Sequence, residues 1–314
     1  MRARRLSPTA RMLLFTSIGP DDLPKAIFRM AAAAEERVVS KGEVLLHEDQ
    51  PMTRFWFAVD AGIQRSRNGV TFEPYATPSP VGLIELLSQG TTGTRLEVVE
   101  DGLVLEVDGE SVLQALLDSR SSILALMTKL GFAVSKLGTL LPRAEGVPLD
   151  VAEVGEFTLV DRLILLGTNG LLSHVPLDVI APFARRLEPV HLAKGERLFT
   201  QGQPTGFGAV VARGSLDCIP HDGESAVAHV GATIGFMDHV VYGAPTFDAV
   251  ARQDCIVLTS TVETFLESME THPDLARAMI AGLASALVDV PVLIEARSVN
   301  EQLEAQLAAL ENVA

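Results

Sequence analysis

The chain has 314 residues, 47% of them apolar, and a formal charge of −15. That length suits two domains of ordinary size, and that charge argues against a nucleic-acid binder, whose phosphate contacts demand a basic footprint. Aromatic residues make up only 5%, so the core is expected to be Leu, Val, Ala and Ile.

Residues 1–11, with their arginine-rich start "MRARR", read as a solvated basic tail. No N-terminal apolar stretch reads as a signal peptide. An amphipathic helical segment follows at Leu23–Ala34. Short β-like runs come next, "RVVSKGEVLLHED", "RFWFAVDAG", "IQRSRNGVTFEPY" and "RLEVVEDGLVLEVD". Strands this short, punctuated by Gly, Asn and Pro, predict a compact antiparallel barrel or roll. A helical stretch from Gly109 to Leu141 closes the segment. The Pro-, Gly- and acid-bearing stretch 142–156 reads as a linker.

The same grammar then starts again. "KGEVLLHEDQP" from Lys41 matches "KGERLFTQGQP" from Lys194 at six of eleven positions. Gly62 answers Gly214, Gly82 answers Gly235 and Asp101 answers Asp254, at an almost constant offset. A fixed internal period is the signature of a repeated unit. The expected organisation is therefore one domain over 12–141 and a second over 157–290. The second copy has its own opening helix at Leu177–Leu187 and a closing helical stretch at Thr261–Val290. In both copies the "KGE" glycine, Gly42 or Gly195, is expected at a turn needing positive φ.

The order of helix, "KGExLxxxxxP", "FxxVxxG", Gly-led short helix and "ExxxLxxD", met twice in register, resembles the cyclic-nucleotide-binding domain superfamily. That group includes the Crp/Fnr regulators and the regulatory subunits of cyclic-AMP-dependent kinase. The resemblance covers both copies. It implies a mainly β fold with flanking helices, two tandem jelly-roll-like β-rolls of cyclic-nucleotide-binding type, plus a C-terminal helix. It also implies a phosphate-binding cassette in each roll. A Gly-Glu opens a short helix, the Glu accepts from the ribose 2′-hydroxyl, and a later Arg pairs with the phosphate.

The cassettes are anchored by Gly82 and Gly235, and both depart from that pattern. Leu83 stands at the first Glu position, and Glu85, two residues on, is expected to aim elsewhere. The Arg position falls near Thr92. Arg95 is displaced from it by about three residues, which reverses its face on a strand, and is expected to be the one cation near either cassette. In the second copy Phe236 replaces the Glu, Pro245 stands near the Arg position, and Asp238 brings a negative charge. Each lost charge-assisted contact is worth about 1.5–3 kcal/mol. The expectation is a non-enzymatic regulatory or scaffold protein acting through protein partners, with no cofactor. The alternatives are a cyclic-nucleotide sensor with unorthodox contacts and a structural subunit of a larger assembly.

Other chemistry finds little support. His221, His229 and His239 share the second copy without metal-ligand spacing, and Cys218 and Cys255 fit neither a disulfide framework nor a metal site. No Walker loop or nucleophile elbow appears. The apolar run Ala278–Val288 is too short to span a bilayer, so a soluble protein of a reducing cytoplasm is expected. The segment after Pro291 is too short for a helix-turn-helix and strongly acidic, so no DNA binding is expected. Residues 291–314 read instead as an amphipathic helix. Leu293, Ala296, Asn300, Leu303, Leu307 and Leu310 follow an a/d spacing, with Asn300 at an a position where a lone Asn sets register. That seam leads to the expectation of a homodimer.

Overall fold

The computed structural model describes residues 6–7, 24–136, 157–167, 172, 175–222 and 225–288. In the first copy α1 (Pro24–Ala33) leads into β1 (Glu35–Val39), β2 (Val44–Leu46), β3 (Arg54–Ala58), β4 (Gly62–Arg67), β5 (Val70–Thr71) and β6 (Ser79–Val81). A short helix, α2 (Leu83–Ser88), precedes β7 (Thr94–Glu100) and β8 (Gly102–Asp108), and α3 (Gly109–Leu117) and α4 (Arg120–Lys136) follow. The second copy opens with α5 (Leu159–Gly167) and α6 (Leu177–Ala184). Its strands are β9 (Glu188–Leu192), β10 (Arg197–Phe199), β11 (Phe207–Arg213), β12 (Leu216–Ile219), β13 (Ala226–Ala228) and β14 (Thr233–Ile234). Then come α7 (Phe236–Tyr242), β15 (Asp248–Ala251), β16 (Cys255–Thr261), α8 (Val262–Thr271) and α9 (Pro273–Val288).

Each copy is a roll of two four-stranded antiparallel sheets. The first pairs β1-β8-β3-β6 and β2-β7-β4-β5; the second pairs β9-β16-β11-β14 and β10-β15-β12-β13. Adding eight to each strand number turns the first pair of sheets into the second. The repeat read along the chain is thus a repeat of topology. The fold is mainly β with flanking helices, as two tandem rolls. Contacts group the chain into two compact units, and Ile123–Phe132 of α4 falls with the second.

The "KGE" turn works alike in both rolls. Gly42 and Gly195 have φ of 87° and 84°, a region that an L side chain enters only with strain. Their N–H groups donate to the Val98 and Ala251 carbonyls, each at 2.7 Å. The preceding lysine N–H donates to Asp101 Oδ1 at 2.6 Å in one roll and to Asp254 Oδ1 at 2.9 Å in the other. The glutamate folds back so that its carboxylate accepts the N–H of Ser40 or Ala193. Each residue of the motif therefore has a structural task.

The closing helices are capped in register too. Asp108 accepts from Ser111 N–H and Thr261 accepts from Thr264 N–H, both at 3.0 Å, satisfying donors that a helix start leaves open. Each closing stretch consists of two helices. The breaks fall at Asp118–Ser119 and at His272, before Pro273. Proline has no N–H to extend a helix yet suits its first turn. Helix α5 was not foreseen in the sequence. The hairpin β4–β5 turns through Asn68–Gly69, with φ of 50° and 80°, the positive pair that two-residue hairpins favour.

In the first roll, Phe55, Trp56, Phe57 and Ala58 of β3 are all buried, and Trp56 donates from Nε1 to Glu106 Oε2 at 2.8 Å. Among the described residues no helix is long and apolar enough to cross a membrane.

Candidate functional site

In the first roll α2 starts behind Gly82, whose φ is 75°. A Cβ there would lie 2.3 Å from Met52 Cε, so the thioether already fills the space beside the glycine. Glu85, in the first turn of α2, is only 2% exposed. Its Oε1 lies 3.2 Å from Nη1 of Arg65 on β4, and that guanidinium stacks 4.6 Å from the centre of the Phe72 ring. Beside this pair stands Tyr75. Burial, and then the charge of Glu85, push its hydroxyl up to about 12, against the opposing pull of Arg65 and the Gly82 backbone.

The inner row of β7 is Thr94, Leu96 and Val98, all buried; Arg95 and Glu97 form the alternate row. Arg95 donates to Glu97 at 2.9 Å from Nη2 and lies 4.0 Å from Glu48. Thr94 is 1% exposed, and its hydroxyl has no hydrogen-bond partner among the described residues. Arg65, which the sequence reading did not single out, is a cation beside this short helix, and Glu85 turns to it. The strand "IQRSR" carries the signal in Ile63, which is buried on the same face as Arg65, two residues before it.

In the second roll α7 starts behind Gly235, whose φ is 82°. A Cβ there would meet the Phe199 ring at 2.6 Å. That ring packs with Phe207 at 5.3 Å, His239 at 6.3 Å and Phe247 at 6.5 Å between centroids. Phe236, at the Glu position, is buried against Phe183 and Phe265 and lies so near Gly208 that a Cβ there would come within 2.3 Å. Asp238 accepts from the Thr246 hydroxyl and N–H. Pro245 offers only its carbonyl, to Gly202 N–H at 2.9 Å. His239 latches α7 to the turn before β11. Its Nε2 lies 3.2 Å from both the Thr205 and Gly206 N–H groups, which fixes the tautomer so that Nδ1–H donates to Gly235 O at 2.7 Å.

No three His, Cys, Asp or Glu residues among those described could hold a metal together. Cys218 and Cys255 are free and buried. Burial, with the charges of Asp238 and Asp217, raises the Cys218 thiol from 9.0 to about 11. Between those values the unfolded chain loses this proton while the folded one keeps it, so stability falls as pH rises. Tyr75 acts in the same direction from 10.0 to about 12. The urea midpoint is expected to hold up to about pH 9 and to decline above it. Cys218→Ala should soften the earlier part of that decline; an unchanged pH profile in the variant would contradict the assignment.

Leu293, Asn300, Leu303, Leu307 and Leu310, the expected dimer seam, lie outside the described residues.

No protein-family profile and no curated protein matches the chain. Solved structures do. One is the regulatory subunit of a cAMP-independent protein kinase A from Trypanosoma brucei, at 13% identity and a TM-score of 0.34, covering 86% of this chain and 91% of that one. Another is the regulatory domain of Toxoplasma gondii protein kinase A with cAMP, at 14% and 0.33, covering 83% and 89%. A cyclic-nucleotide-binding-like protein from Brucella abortus matches at 23% and 0.31, over 35% of this chain and 98% of its own. Scores of this size support no argument about the site, and the fold stands on the sheet pairing above.

Proposed function

We propose that this chain is a non-enzymatic regulatory protein whose two rolls act through contacts with other proteins. On this reading its own side chains have replaced the canonical cyclic-nucleotide contacts. One observation carries it. Beside both cassette glycines the space is already filled by an apolar side chain, Met52 at Gly82 and Phe199 at Gly235. Packing thus closes both glycines on the side of their missing Cβ, while Leu83 and Phe236 stand where the ribose-binding Glu would be. The kinase regulatory subunits of similar fold are regulators of a protein partner by name, which fits the reading.

The test is calorimetry of the purified chain against cyclic AMP and cyclic GMP. Two lost contacts weaken a micromolar ligand to above about 100 μM, so no heat of binding is expected below that concentration. A micromolar titration with one site per chain would sink the proposal. The runner-up, a small-molecule sensor with unorthodox contacts, is favoured by the first roll alone, where the buried Thr94 hydroxyl faces inward without a partner among the described residues.

A further inference from the structure

We propose that Arg65 is a built-in occupant of the first cassette. Its guanidinium answers the buried carboxylate of the short helix, so the chain itself holds α2 against the roll. This deepens the reading of lost ligand sites and rests on it.

Glu85 is 2% exposed, and a carboxylate this deeply buried demands a charged partner. Arg65 supplies it across 3.2 Å. The partner comes from β4, a different element from the helix, so the ion pair fastens the helix to the sheet. Phe72 supports the flat face of the guanidinium, and Tyr75 borders both charges. Side chain and surroundings thus form a socket for one planar cation, filled from within.

The second roll supplies an internal control. Ile63 pairs with Val98 and Leu216 with Ala251, while Arg65 pairs with Leu96 and Cys218 with Ala249. Cys218 is therefore the counterpart of Arg65, and Asp238, 153 positions beyond Glu85, is the counterpart of the carboxylate. No cation stands at that position, and Asp238 turns to Thr246 instead. There α7 is held by His239 and by rings. The two rolls have reached ligand-free closure by different chemistry.

Emptying the socket tests this. In Arg65→Ala the side chain is gone while Glu85 remains, and the 19% exposure of Arg65 leaves a way in from solvent. The thermal midpoint is expected to fall on the order of 10 °C. Methylguanidinium chloride at about 10 mM, against matched sodium chloride, should restore a saturable part of that loss, as a ligand binding only the folded state does. The wild-type chain should not respond. Arg65→Ala combined with Glu85→Leu should be more stable than Arg65→Ala and equally unresponsive. If Arg65→Ala does not fold, the readout is soluble refolded yield with and without methylguanidinium.

An Arg65→Ala chain as stable as wild type would overturn the inference. So would a methylguanidinium response no larger than that of the double variant. Micromolar cyclic-AMP binding by the wild-type chain would instead overturn the reading on which it rests. The rescue experiment does not depend on that result, because it reports only whether Arg65 fills a cavity facing Glu85.

Discussion

Gly102→Ala is expected to destabilise the first roll by about 3 kcal/mol or more. Gly102 opens β8, and a Cβ there would lie 2.4 Å from both Cα and N of Ala61 and 2.8 Å from the carbonyl carbon of Asp60. All three are backbone atoms and have no rotamer to escape into. The two segments are also pinned together. Leu103 N–H donates to Asp60 Oδ1 at 2.6 Å, and Val59 N–H donates to Leu103 O at 3.0 Å. Making room for a methyl group would pull these bonds apart. Gly42→Ala makes a useful contrast in the same roll. Its φ is 87°, but nothing lies within 4 Å of the added Cβ, so only the left-handed backbone penalty of about 1–2 kcal/mol applies. Urea titration followed by far-UV circular dichroism should rank the two in that order. A Gly102→Ala loss within about 0.5 kcal/mol of zero would refute the close approach.

The second large effect is Phe199→Ala, expected to cost the second roll about 3–5 kcal/mol. Phe199 is 1% exposed and is the hub of a ring cluster, with Phe207, Phe247 and His239 all within 6.5 Å of its centroid. Truncation removes the transfer free energy of the ring and leaves a cavity beside Gly235, and the aromatic neighbours lose their edge contacts. Phe199→Leu keeps most of the volume and should lose less. The same denaturant titration decides. If alanine costs under about 1 kcal/mol, the ring is not the core of this roll and the filled cassette loses its main support.

Much of the fold could be read from the sequence because its pieces recur. The "KGE" stretches and the aspartates sixty residues on are repeated together, and the structure joins them by the same bond in both rolls. The Asn68–Gly69 hairpin declares itself because only a few residue types accept two positive φ values in succession. The breaks at Asp118–Ser119 and His272 carry their own signals, the polar run "DSRSS" and Pro273, which end one helix and start the next. The departures at the cassettes were legible as substitutions, Leu83 and Phe236 for Glu. What replaced the missing contacts was not. Arg65 and Glu85 are separated by 20 residues; alternation from Ile63 turns Arg65 inward, but only the folded roll brings the helix carboxylate to it. Likewise, Met52 and Phe199 look like ordinary core residues until the roll closes over the glycines they cover.

The chain contains a single tryptophan. Trp56 lies in β3 of the first roll, 3% exposed, with its indole N–H held by Glu106. Emission excited at the red edge of the indole band therefore originates in one half of a duplicated molecule. The second roll has no tryptophan to answer with, so its unfolding is silent at that wavelength unless it disturbs the first. Two halves that share a topology are in this respect spectroscopically distinct, and fluorescence set beside circular dichroism can assign a melting step to its roll without a label.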